Sequence, residues 1–221
     1  MTIKTTYLVF RTKKPVVEPS SKLRGFIGGR FPDHALLHNH IKEGYIYTYP
    51  MIQYKVLGGT ASILGIEEGA RVIKEISNSI DTLVLGNSVY NIEQRILYEQ
   101  EVELKPIDHP VHYKFVSPWL ALNPENHKKF CGLNHWKDKK EFLNSILVGN
   151  ILSMCKGLGI TVNNELYTST HLDMEKVKYK ATQVIGFTGY FIINFEIPQF
   201  FGIGKGVSQG FGVVMNAGGE S

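Results

Sequence analysis

Only two cysteines, Cys131 and Cys155, occur in the chain. That is too few for a disulfide framework or a four-cysteine zinc site, so a reduced, cytoplasmic protein is expected. Long apolar runs are missing as well. None reaches the 18 or so residues of a membrane span, and no membrane partner is expected. The start, Met1-Thr2-Ile3-Lys4-Thr5, has neither a long apolar core nor a small-residue cleavage site, so no secretory leader is expected. A strong charge of one sign is lacking too: the formal net charge is +4. With 43% hydrophobic and 20% charged residues, disorder is excluded.

The distribution of charge says more than its total. Residues 1–58 carry nine Lys/Arg against three Asp/Glu, residues 59–103 three against eight, and residues 104–221 twelve against nine. Two basic zones flank an acidic one, a pattern that suits a polyanion or simply a solvated surface. Glycine is abundant, at 22 residues, and clustered.

At 221 residues the chain is one large domain or two small ones. Ile3–Phe10 alternates and is β-branched or aromatic, which predicts a strand. Ser20 and Ser21 suit the cap of a helix through Leu23–Ile27, closed by Gly28-Gly29 and Pro32. Residues 35–41 read as extended or loop. Tyr45–Leu57 predicts two short strands, or one entered at Pro50, and Ala61–Ile66 another. Glu67–Ser79 predicts a helix, because Val72, Ile73 and Ile76 recur at helical spacing. Thr82–Leu85 and Ile92–Leu104 predict strands. Lys105–Pro110 holds two prolines and predicts the break between domains 1–108 and 109–221.

The second half follows a similar order. Val111–Leu122 predicts a strand, Asn123 a turn or helix start, and Asp138–Leu158 a long helix on the row Leu143, Leu147, Ile151. Cys155 lies on that helix's apolar row and reads as core. Lys176–Thr182 and Val184–Ile197 predict strands, and Phe211–Met215 a last one; residues 197–206 read as loop. Each half is roughly βαββαβ. The expected fold class is α+β, with two tandem ferredoxin-like (RRM-like) domains.

Three constellations could carry chemistry. The first is His34, His38 and His40 within PDHALLHNH. If His38–His40 is extended, the two imidazoles share a face about 6.6 Å apart, leaving room for a phosphate between them. One could remove a proton from a nucleophile while the other protonates a leaving oxygen. Loop histidines without a role, or a zinc site completed by Asp33 or a distant His, are the other readings. The second is basic and aromatic: Arg24, Arg30, Lys42 and Lys55 with Tyr45, Tyr47, Tyr49 and Tyr54, suited to phosphates and splayed bases. Tyrosines packed in strands would look the same. The third is the run 202–212, with glycines at 202, 204, 206, 210 and 212 around Lys205. It matches neither the G-x-G-x-x-G fingerprint nor the P-loop, so a grip on a nucleic-acid backbone fits better than a nucleotide cofactor. His135 and Trp136 stand among Lys128, Lys129, Lys137, Lys139 and Lys140, and read as a solvated face or a partner contact.

Taken in order, Leu23-Arg24-Gly25, His38-Asn39-His40, Tyr49–Lys55, Ser117–Asn123 and the glycine run resemble the CRISPR-associated endoribonucleases that cut repeat RNA, the sixth Cas protein family. The type I-B subtype, with two active-site histidines close in sequence, is the nearest match. The resemblance spans nearly the whole chain. It implies metal-independent cleavage of precursor into guide RNA, with no cofactor, leaving a 5′-hydroxyl and a 2′,3′-cyclic phosphate. Carried over, His38 and His40 are the catalytic candidates, His40 the more critical. Tyr47, Lys55 and Arg30 would orient or neutralise the phosphate. Arg24, Arg30, Gly202, Gly204, Lys205, Gly206, Gly210 and Gly212 would bind RNA. CRISPR repeat RNA is the expected partner, with other subunits of a type I effector complex and a second copy as further possibilities. The alternatives are a non-cleaving RNA-binding subunit of such a complex, a scaffolding protein, and a metal-dependent nuclease using the histidines.

Overall fold

A computed structural model describes residues 2–38, 40, 41, 44, 45 and 49–218; at residues 38, 40, 41, 44 and 45 it describes the backbone alone. The chain forms two compact units. The first holds Thr2–Val102 together with Val207–Gly210, and the second holds Glu103–Gly206 with the chain from Phe211 onward.

In the first unit the order is β1 (Thr2–Thr12), α1 (Ser20–Arg30), α2 (Ala35–His38), β2 (His40–Ile41), β3 (Gly44–Tyr45), β4 (Ile52–Leu57), β5 (Thr60–Ile66), α3 (Glu68–Ile76), β6 (Thr82–Leu85) and β7 (Ser88–Glu103). Five strands form one sheet in the order β4-β5-β1-β7-β6, and β2 and β3 form a separate ribbon. Without β6, the strands β1, β4, β5 and β7 interleave with α1 and α3 as βαββαβ, the ferredoxin-like arrangement. Alternation drives this: Leu8 and Phe10 on β1, Ala61 and Ile63 on β5, and Ile52 and Tyr54 on β4 meet Leu23 and Ile27 of α1 and Val72, Ile73 and Ile76 of α3 in one core.

The second unit runs β8 (Lys105–Trp119), α4 (Pro124–Gly132), α5 (Trp136–Gly157), β9 (Thr168–Tyr179), β10 (Thr182–Glu196) and β11 (Val214–Asn216), with sheet order β11-β8-β10-β9. This is the same fold with the second helix replaced by the glycine-rich segment. Its core is aromatic. Phe115 stacks on Trp119 at 5.3 Å, and Phe191 and Phe187 join them. Leu143, Leu147 and Ile151 of α5 are buried beneath the sheet. Asn123 caps α4, its side chain accepting from the Asn126 N–H, with Pro124 in the first turn.

Three local expectations are corrected. Residues 35–38 are helical, as Leu37 N–H bonds His34 C=O at 3.0 Å. Lys105–Pro110 is extended as the first part of β8 rather than a loop. β11 pairs only with residues 113–115, so Pro106 and Pro110 lie where β8 has a neighbour on one side alone, and the register slips between Ile193 and Phe195. β9 begins at Thr168, eight residues before Lys176. As the outer strand it buries only Thr170 and Leu172 in that stretch, so its sequence lacks a strong apolar alternation.

Candidate active site

The residues of β4 divide by strand period. Ile52 and Tyr54 enter the core, whereas Gln53 and Lys55 take the opposite face, and both of these are fully buried. Lys55 Nζ donates to Gln53 Oε1 at 3.2 Å. Desolvation lowers the Lys55 amine from its ordinary 10.5 to about 7, because a charge without water is costly. Burial raises the Tyr54 hydroxyl, with the Arg24 charge pulling the other way. That hydroxyl donates to the Leu37 carbonyl at 3.0 Å, one residue before His38.

The outer edge of β4 is occupied. The Val56 N–H donates to Ser20 Oγ at 2.9 Å, at the start of α1. Residues 207–209 form a short 3-10 turn against β4 and α1. Arg24 Nη1 donates to Ser208 Oγ at 3.1 Å. Gly210 ends the turn at φ +83, and a Cβ there would lie 2.4 Å from Ser20 Oγ and 2.9 Å from the Tyr54 carbonyl. One unit thus brings together Arg24, Lys55, Tyr54 and the middle of the glycine run.

The histidine segment is differently built from an extended H-x-H. His38 closes α2 and His40 opens β2, where it pairs with Tyr45. The side chains of both histidines, and Lys42 and Tyr47 entirely, lie outside the described residues. His34 is half-buried and meets the Phe31 ring edge-on at 6.5 Å. Arg30, at the exposed end of α1, donates to the Ser79 carbonyl at 2.8 Å, so its guanidinium is engaged in tying α1 to the turn before β6.

The rest of the glycine run belongs to the second unit. Gly202 bridges to Val213, and Lys205 to Leu120. Gly212, at φ +64, is buried, and a Cβ on it would lie 2.0 Å from the Ile203 carbonyl. Gly202 and Gly210 are buried as well, Gly206 is half-buried, and Gly204 and Lys205 are exposed. Lys205 Nζ lies 5.3 Å from the Tyr179 ring centroid, and Tyr179 meets Phe211 edge-on at 5.6 Å. The run is therefore a packed scaffold that offers Gly204 and Lys205 to solvent beside an aromatic ring.

Sequence reasoning missed Gln53 and Ser208 as partners. The two-residue spacing of Gln53 and Lys55 could have shown a shared face. Nothing local marks Ser208, which lies 184 residues from Arg24.

Comparison with known proteins follows the same division. The Cas6b N-terminal domain model matches residues 1–103, and the Cas6b C-terminal domain model matches residues 105–217. A crystal structure of Cas6b is similar at a TM-score of 0.92 and 32% identity, covering 98% of this chain and 100% of that one. A crystal structure titled as the CRISPR RNA processing endoribonuclease Cas6b gives 0.78 and 29%, covering 98% of this chain and 100% of that one. An uncharacterised protein of Methanocaldococcus jannaschii is 43% identical over 143 residues, 64% of this chain and 96% of that protein.

Proposed function

This chain belongs to the Cas6b family, and on that premise we propose that it is a metal-independent endoribonuclease that cuts CRISPR repeat RNA to release guide RNAs. The RNA supplies its own nucleophile. The ribose 2′-oxygen attacks the adjacent phosphorus, the bond to the 5′-oxygen breaks, and the products are a 2′,3′-cyclic phosphate and a 5′-hydroxyl. One of His38 and His40 takes the 2′-hydroxyl proton and the other protonates the leaving oxygen. The protein aligns attack and leaving group and stabilises the charge that builds on the phosphate.

The observation that carries this reading is the anchor at Leu37. The Tyr54 hydroxyl holds the Leu37 carbonyl at 3.0 Å, so the segment that leads into His38 starts beside the strand bearing Lys55. Lys55, lowered to about 7, changes charge in the range where the histidines also work. An approaching phosphate would favour its charged form. Tyr47 acts with it in orienting the phosphate. Arg24, Arg30, Lys205 and the exposed Gly204 contact RNA, with the buried Gly202, Gly210 and Gly212 shaping the loop that presents Gly204 and Lys205.

The test is cleavage of repeat RNA in EDTA, beside a copy with one 2′-deoxy sugar at the cut site. Cutting of the first copy alone is expected. His40→Ala should slow cleavage by about 10²–10⁴-fold, the worth of one proton-transfer group, with RNA affinity nearly unchanged. Binding of both copies without cutting would make the protein a binding subunit. Magnesium-dependent cutting of the deoxy copy would overturn the mechanism.

A further inference from the structure

The second unit holds a cavity of about 370 Å³ between the start of α5 and the outer strand β9. Its walls combine chemistry that rarely meets by accident on a solvated face. Trp136 is 49% exposed, although an indole ring normally gains by burial. Leu143 and Leu172 form an apolar floor, and Lys140, His171 and Asp173 line the cavity around it. The backbone contributes too. The Thr170 N–H and hydroxyl donate to Asn144 Oδ1 at 3.0 and 2.8 Å, so this residue turns its backbone away from β10. In an antiparallel strand that orientation recurs every second residue. Leu172 therefore also presents its N–H and C=O to the free edge of β9, at the cavity wall.

We infer that this cavity binds one unpaired nucleotide of the RNA, its base stacked on Trp136. The inference rests on the ribonuclease reading for its ligand class. A flat indole face beside an apolar floor accepts any base by stacking. The Leu172 backbone offers one donor and one acceptor to the base edge. Asp173 follows Leu172 and by the strand period turns its side chain to the other face of β9, so the base edge meets the Leu172 backbone and no base is preferred. Lys140 is the cation in the cavity wall and meets the phosphate directly. The adjoining Lys137 and Lys139 add to the attraction, with Asp138 and Glu141 opposing it.

Intrinsic fluorescence reads this site directly. The chain has two tryptophans; the other, Trp119, is 0% exposed and donates to Asn150, but Gly204 packs against its indole, so Trp136→Phe is titrated beside the parent to subtract any Trp119 response. The probes are the hexanucleotides UUGUUU and UUUUUU, titrated into the intact protein. Quenching by both is expected, with similar affinity, because stacking accepts any base. Trp136→Ala should weaken UUGUUU binding by roughly 5- to 150-fold, the range of one stacked base, as measured by anisotropy of a labelled probe. Trp136→Phe should keep the affinity within about threefold while abolishing the quench, because phenylalanine still stacks. Asp173→Asn should leave both affinities within about twofold, because its side chain faces away from Trp136. Hexanucleotide binding without quenching, or Trp136→Ala affinity equal to the parent, would overturn the inference. In that case repeat RNA would still be cut by the parent protein. Loss of cutting in the parent would instead overturn the ribonuclease reading.

Discussion

Lys55 shows how a single residue is set by its surroundings. Its charge has no counter-ion in the described contacts, only the Gln53 amide oxygen, and desolvation brings the amine from 10.5 to about 7. Between those two values the unfolded chain keeps a proton that the folded chain has released, so stability rises with pH across that window. Below the folded value the full burial penalty applies. Lys55→Met should therefore exceed the parent in stability below pH 7, by on the order of 4 kcal/mol, and the gap should close toward pH 10.5. Denaturant midpoints measured across that range decide it, and parallel curves for the two proteins would contradict a buried, titrating amine. Its place in Tyr49–Lys55 singled Lys55 out as a candidate. Its burial was not legible, because a lysine on an alternating strand ordinarily points to water.

At the scale of elements, the glycine run separates two reasons for the same residue. Gly212 has φ +64 and no room for a Cβ, whereas Gly25 of α1 has nothing within 4 Å of the added atom. Gly212→Ala should lower stability by about 2–4 kcal/mol through strain and collision with the Ile203 carbonyl. Gly25→Ala should raise it by about 0.5–1 kcal/mol, since alanine is the better helix former and the less flexible unfolded residue. Thermal melts of the two variants are the check. The elements themselves were readable where burial is one-sided. Thr82–Leu85 is observed as expected, and the helix over Glu67–Ser79 is Glu68–Ile76 with a 3-10 turn after it. They were unreadable at edges: Pro106 and Pro110 looked like breakers, yet β8 accommodates them where it is paired on one side.

At the scale of the molecule, charge is the property that reaches furthest. The acidic stretch 59–103 makes its own surface pairs, Arg71 with Glu68 and Glu75, Lys74 with Glu99, and Arg95 with Asp81. Exposed pairs of this kind add little stability, about 0–1 kcal/mol each. In the basic zones Lys105 pairs with Glu103 and Glu196, and Lys129 with Glu125, and we propose that the excess cations there meet a polyanion. Repeat-RNA affinity should fall steeply between 50 and 200 mM salt, with a log–log slope steeper than about −2, or some three phosphates neutralised. Filter binding across that range measures it, and a flat response would mean that the basic zones do not meet phosphate.

What the sequence determined alone is what repeats at short range. Alternation and helical spacing made the two βαββαβ orders visible, because each strand or helix is specified by its own buried face. The histidine pair, the glycine run and the Lys–Tyr strand were visible as residue types in order along the chain. Tertiary structure alone decided which of them meet. Arg24 finds Ser208, Tyr54 finds Leu37, and residues 207–210 join the first unit, across 184 positions in the case of Arg24 and Ser208. Such contacts leave no local pattern, because the hydrogen bond is made by distant segments that the sheet order brings side by side.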